Sequence, residues 1–292
     1  MSQEHTTALP AEAPRAEAPR ADCTVDGDGR FVVRVNLAAP TASGASLSSR
    51  SAHPRLLLRL RPPKGKPEEI KHVVELEPAG EGRWQAALEP SPAFAEGRWD
   101  AYLLSGPDAP RQRLRPGMRD LRALVNPSGS GLSTRPLAVR IPYATVDGYL
   151  AVRAWLRTSH AEAGSIRIAD RTMTVRGRLI GAELGAGAAA LLRRRGNDDT
   201  VREVGLKAEG DHGFSFSADY RDLLSAPEGG PGAWDVFVRP AAGAARIRVA
   251  RLLDDLADRK KVFVYPASTL DGLTARPYYT VNNDLAVEIT AA

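Results

Sequence analysis

The chain has 292 residues, 43% of them hydrophobic and 26% charged, which suits two domains of ordinary size, each able to bury its own core. Its formal charge is +5, but the arginines are dispersed among comparable numbers of Asp and Glu. No apolar run approaches the roughly 20 residues that cross a bilayer, and no long basic block suggests a nucleic-acid arm.

In chain order, residues 1–21 lack the basic start and apolar stretch of a secretory signal, so the protein reads as cytoplasmic. They contain the doublet Ala-Glu-Ala-Pro-Arg, Ala-Glu-Ala-Pro-Arg, which offers little to bury and predicts a disordered tail. The lone Cys23 cannot form an internal disulfide, which agrees with a reducing compartment. Strand-like runs then follow at 31–35, 56–60, 73–76, 83–88 and 97–104, separated by Gly and Pro. Short strands at such spacing predict an antiparallel sandwich over 22–126. A brief helical stripe is expected at Met118, Leu121 and Leu124.

The stretch 126–136, Asn-Pro-Ser-Gly-Ser-Gly-Leu-Ser-Thr-Arg-Pro, disfavours regular structure and predicts a linker over 127–135. A second sandwich over 136–292 then retraces the first. Strands at 191–195, 201–207, 213–218 and 232–238 answer those at 58–61, 70–76, 82–88 and 97–103, and Leu252, Leu253 and Leu256 suggest a matching short helix. An extra segment, about 160–186, carries strand-like stretches at 165–169 and 171–179.

One signature recurs: CTVDGDGRFVVRV at 23–35, PYATVDGYLAVRA at 142–154 and PYYTVNNDLAVEI at 277–289. Such self-similarity means a duplicated domain. Asp147-Gly148 and Asn282-Asn283 suit tight hairpins that need positive φ. The fold class expected is therefore all-β, two tandem immunoglobulin-like β-sandwiches behind a disordered tail.

Candidate chemistry is sparse. Asp26-Gly27-Asp28 resembles an Asp-x-Asp metal motif, but it falls in the repeated hairpin and reads as a turn. The run 185–190, Gly-Ala-Gly-Ala-Ala-Ala, lacks the strand–helix setting of a dinucleotide fingerprint. His5, His53, His72, His160 and His212 have no metal-ligand spacing. His72 and His212 are expected at strand-edge or turn positions, exposed. No Gly-x-Ser-x-Gly elbow marks a nucleophile, and the acids Asp198, Asp199, Asp254, Asp255 and Asp258 read as loop or helix-surface positions. No catalytic residue, cofactor or metal is expected. Trp99 and Trp234, duplicated in Gly-x-Trp-Asp frames, read as core. Trp155 and Tyr279, without aromatic counterparts, are candidates for an exposed binding platform, and Arg193, Arg194 and Arg195 for partner or ligand contact.

The run 276–287, RPYYTVNNDLAV, and the stretch 168–179, IADRTMTVRGRL, resemble the β-sandwich domains appended behind the catalytic domain of bacterial cell-surface polymer glycosyltransferases of the teichoic-acid type. The resemblance extends more faintly over the first half. It implies an oligomerisation or polymer-contact module without the nucleotide-sugar-binding domain, so no catalytic residue is carried over. The expected function is a non-catalytic accessory that binds the glycosyltransferase, itself or an anionic glycan. The alternatives are a transferase with its site between the sandwiches and, less favoured, nucleic-acid binding through Arg193, Arg194 and Arg195.

Overall fold

The computed structural model describes residues 18–26, 28–37, 53–106, 109–125, 136–210, 212–225, 230–256 and 259–292. Most of the expected tail and all of the expected linker lie outside these residues. Arg20 and Ala21, assigned to the tail, instead open the first strand, where Ala21 is fully buried.

The first half contains β1 (Arg20–Val25), β2 (Phe31–Asn36), β3 (Arg55–Leu60), β4 (Lys71–Glu75), β5 (Glu77–Pro78), β6 (Arg83–Leu88), β7 (Gly97–Leu104), β8 (Gln112–Arg113) and β9 (Arg115–Asp120). It is completed by the hairpin β10 (Leu137–Ala144) and β11 (Leu150–Arg157). One sheet runs β5-β6-β2-β1-β9, and the other runs β10-β11-β7-β3-β4 with β8 beside β7. Alternating residues such as Cys23, Phe31, Val33, Leu56, Leu58 and Trp99 meet between them, because a strand sends every second side chain to one face.

The second half contains β12 (His160–Ala169), β13 (Thr172–Ile180), β14 (Ala189–Arg194), β15 (Val201–Glu209), β16 (Gly213–Asp219), the short helix α1 (Tyr220–Leu224), β17 (Gly232–Arg239) and β18 (Ile247–Ala250). After them come α2 (Arg259–Val262), β19 (Ser268–Leu270), β20 (Leu273–Tyr279) and β21 (Leu285–Ala291). Its pairings repeat those of the first half: β12–β13–β16 answers β1–β2–β6, the parallel pair β12–β18 answers β1–β9, and β20–β21–β17–β14 answers β10–β11–β7–β3.

The halves differ in closure. β14 pairs both β15 and β17, so β17, β14, β15, β16, β13, β12 and β18 form a closed ring of strands rather than two separate sheets. The cause is local. β15 runs unbroken, pairing β14 through Val201–Gly205 and β16 through Leu206–Glu209, whereas its counterpart breaks at buried Leu76 into β4 and β5. Likewise β18 touches both β12 and β17, while the first half breaks at buried Leu114 into β8 and β9.

Two further expectations are corrected. The hairpin β10–β11, placed by sequence in the second unit, pairs with β7 and packs into the first core. The run 23–35 forms β1–β2, in the other sheet from β10–β11, so it is not equivalent to 142–154. Its true counterpart is β12–β13, the segment that looked like an insertion.

The helical stripes also fail. Met118 lies in β9 and only a 3-10 turn, Arg122–Leu124, follows. Leu252 and Leu253 are buried in an irregular loop. In both cases burial against the sheets, rather than helical periodicity, dictates the leucine spacing.

The tight turns form as expected. Thr145 Oγ1 accepts the Tyr149 N–H at 3.0 Å, and Gly148 has φ +79°. Asn283 takes φ +63° at the matching turn.

Candidate arginine–aromatic faces

The Gly-x-Trp-Asp frames place a buried tryptophan and a buried carboxylate side by side on β7 and β17. Trp99 and Trp234 are fully buried in the core, as the sequence suggests, and Asp100 and Asp235 lie on the opposite side of their strands at 3% exposure each. Adjacent residues of a strand face opposite ways, so the core tryptophan fixes the neighbouring Asp against the outer face.

A buried carboxylate must be paired, and arginines from the adjoining strands supply the partners. In the first half, Arg59 Nη2 and Arg61 Nη2 donate to Asp100 at 2.7 and 2.6 Å. Arg59 and Arg111 flank the Tyr102 ring at 5.5 and 5.1 Å. Arg111 makes a bidentate pair with Glu68 at 3.0 and 3.1 Å, and Arg59 also contacts Glu68. Those two guanidiniums hold the Glu68 carboxyl down at about 2. Arg113 pairs with Asp147 at 2.6 Å and lies over the Tyr149 ring at 4.1 Å.

The second half rebuilds this face. Arg195 Nη2 and Arg248 Nη2 donate to Asp235 at 2.5 and 2.6 Å, and Arg195 Nη1 donates to Tyr278 Oη at 3.2 Å. Arg193, Arg246 and Arg248 surround the Phe237 ring at 5.1, 5.4 and 5.1 Å. Strand register shows the equivalence. Arg59 lies opposite Asp100 as Arg193 lies opposite Asp235, and Tyr102 faces Arg113 as Phe237 faces Arg248.

Burial pushes both Asp carboxyls up. The Arg61 and Arg59 bonds to Asp100, and the Arg195 and Arg248 bonds to Asp235, outweigh it and hold them below the ordinary range.

The sequence-predicted contact residues are dispersed. Arg193 and Arg195 belong to this face. Arg194 instead donates to the carbonyls of Gly230 and Pro231, because alternation turns it away from its neighbours. Trp155 and Tyr279 are 2% and 0% exposed, so the aromatic platform expected of them does not form. Trp155 is covered by Arg153 and Arg157, at 4.2 and 4.7 Å from its ring. Asp26 Oδ1 accepts the N–H groups of Asp28 and Arg30 at 3.1 and 2.9 Å, the work of a turn residue. His72 is half-buried rather than exposed and stacks on Phe94 at 4.4 Å.

Where the halves meet, acids and bases are committed to holding loops. His160 Nε2 lies 2.7 Å from Glu162 Oε2, and Glu162 accepts the N–H groups of Leu252 and Leu253 at 2.8–3.1 Å. Asp254, expected in a loop or on a helix surface, lies in a loop but is buried, and it takes Arg251 at 2.6 Å and the fully buried Arg259. Leu252, Leu253 and Ile180 pack into the core of the first half, joining the two halves. Among the described residues, no three His, Cys, Asp or Glu side chains gather as a metal ion would require. No helix among them is long and apolar enough to cross a membrane.

Composition alone did not reveal the arginine faces. Their signal was the Arg-x-Arg of 59–61 and 193–195 lying beside the duplicated Trp-Asp pair.

The fold and its faces define an all-β chain built on one repeated pairing scheme. No protein-family model matches the chain, and no curated protein matches it. Solved structures do match. One is S. aureus TarS, 15% identical with a TM-score of 0.37, over 56% of this chain and 31% of that one. Another is a TarS fragment, 13% identical with a TM-score of 0.30, over 75% and 59% of the two chains. This chain therefore spans less than two thirds of either.

Proposed function

We propose that the chain is a non-catalytic binding module of two tandem units, about residues 20–157 and 160–292, the first an immunoglobulin-like β-sandwich and the second a closed, barrel-like variant of the same pairing scheme. It serves a cell-surface glycopolymer glycosyltransferase by holding an anionic glycan across its two arginine–aromatic faces. The observation that carries this reading is the duplicated face. Four arginines in each half gather about one buried Asp and its neighbouring aromatic rings, against three acids (Asp100, Glu68 and Asp147 in the first half, Asp235, Asp198 and Asp284 in the second), so each face keeps a cationic excess. Arg246 stacks on Phe237 without an acid partner among the described residues. Guanidiniums held in place by buried carboxylates and rings are pre-organised for bidentate bonds to phosphate or carboxylate. The resemblance of 168–179 and 276–287 to the appended domains of glycopolymer transferases supports the same class of ligand.

The test is retention on an immobilised phosphate-bearing glycan against a neutral glycan across a salt gradient, with light scattering for self-association. Retention should be specific for the anionic polymer and fall as salt rises, because fixed charge dominates. A strict monomer retained by neither polymer contradicts the proposal.

A further inference from the structure

The second half contains a break in strand register that the equivalent strand pair of the first half lacks. β12 and β13 lose register between Ala163 and Ile166, which leaves Gly164 and Ser165 exposed. The equivalent pair, β1 and β2, runs from Ala21↔Val35 to Val25↔Phe31 without a shift. Bulges of this kind re-aim side chains and interrupt pairing. Here the bulge borders a cleft of about 340 Å³, within the size range of small-molecule sites.

The cleft is lined by Arg176 and Arg178 from β13, Arg251 from the loop after β18, Ser165, Glu162 and glycine backbone. Arg176 and Arg178 are two apart on a strand and so share a face. With Ala21↔Val35 matched to Ala161↔Leu179, the first half has Val32 and Arg34 at their positions. The second arginine, like the register break, is therefore particular to this half.

The acceptors in the cleft are occupied, whereas donors remain. Glu162 accepts the Leu252 and Leu253 N–H groups and faces His160. The Gly164 carbonyl accepts from Arg251 Nη1 at 3.0 Å. Arg178 is exposed, and its side chain has no hydrogen bond or ion pair among the described residues. Among the described residues, Arg176 reaches only Glu209, at 3.6 Å, with both side chains well exposed. Arg251 is fixed by Asp254 at 2.6 Å and by its position 4.3 Å from the Phe263 ring.

We propose that this cleft is a second, separate anion site that takes a phosphate group, with Arg176 and Arg178 as its mobile clamp and Arg251 as its fixed donor. The proposal does not depend on the arginine–aromatic faces.

The experiment is calorimetric titration with inorganic phosphate, and in parallel with a soluble phosphodiester polymer, at constant ionic strength. Arg176→Gln/Arg178→Gln should lose about tenfold or more in phosphate affinity, the worth of one charged bond. Arg34→Gln/Arg83→Gln, a charge-matched pair of exposed positions on the first half, should leave phosphate binding unchanged. In the component of binding that Arg176→Gln/Arg178→Gln removes, preference for inorganic phosphate would assign a free small ligand, and preference for the polymer a phosphodiester segment. Either supports the site. Wild-type-like phosphate affinity in Arg176→Gln/Arg178→Gln, equal losses in both double variants, or no saturable phosphate binding by the wild type would overturn it.

Discussion

At the scale of single residues, the account rests on Asp100 and Asp235. Each is buried and each is outnumbered by the guanidiniums it holds. Asp235→Asn keeps the shape but removes the charge that Arg195 and Arg248 share. We expect it to lower the unfolding free energy by about 2 kcal/mol, toward the low side because Arg195 is half exposed. Chemical denaturation of wild type and variant checks this. The same groups set an acid limit. Their folded-state pKa values lie below the ordinary 3.8, so their stabilisation is fully present above that pH and is lost as pH falls through the lower folded value. Melting temperature measured from pH 5 to 2 should fall more steeply for wild type than for Asp100→Asn/Asp235→Asn. Cys23 offers an independent probe of the core. Burial, with Asp22 beside it, pushes its thiol up to about 12. Iodoacetamide should label it only after unfolding, because the thiolate is the reactive form.

At the scale of elements, the strand at Gly177 has no tolerance for a side chain. A Cβ there would lie 2.4 Å from the Glu162 carbonyl and 2.5 Å from the Phe214 ring. Gly177→Ala should cost about 2 kcal/mol or more, read as a lowered denaturation midpoint. Most strands were legible in the sequence because alternation and Gly/Pro punctuation are local signals: 31–35, 83–88 and 97–104 all appear within one residue as β2, β6 and β7. The two helical stripes were not, since Leu121, Leu124, Leu252 and Leu253 are spaced by the sheets they cover. The faces were hidden for a related reason. Arg111 joins its face through Glu68, 43 positions away in sequence, and Trp155 reads as exposed until Arg153 and Arg157 are seen to cover it.

At the scale of the whole molecule, the repeat was visible but its phase was not. The signatures at 142–154 and 277–289 close their units, whereas the low-complexity stretch before 136 invited a boundary just ahead of the first of them. Pairing of β11 with β7 argues for division near residue 158 instead. Fragments 1–158 and 159–292 should each give a cooperative melt. Fragments 1–135 and 136–292 should not, because β7 loses its neighbour and β10–β11 loses the core it covers. The central claim, that two equivalent faces hold one anionic polymer, is tested most directly by the affinity of wild type, Arg59→Gln/Arg111→Gln, Arg193→Gln/Arg246→Gln and the quadruple variant for a soluble phosphate-bearing glycan. The account predicts that either pair alone weakens binding about tenfold or more through lost bivalency, and that the quadruple variant keeps no more than the residual binding of the separate Arg176–Arg178 cleft. A quadruple variant with wild-type affinity would contradict it.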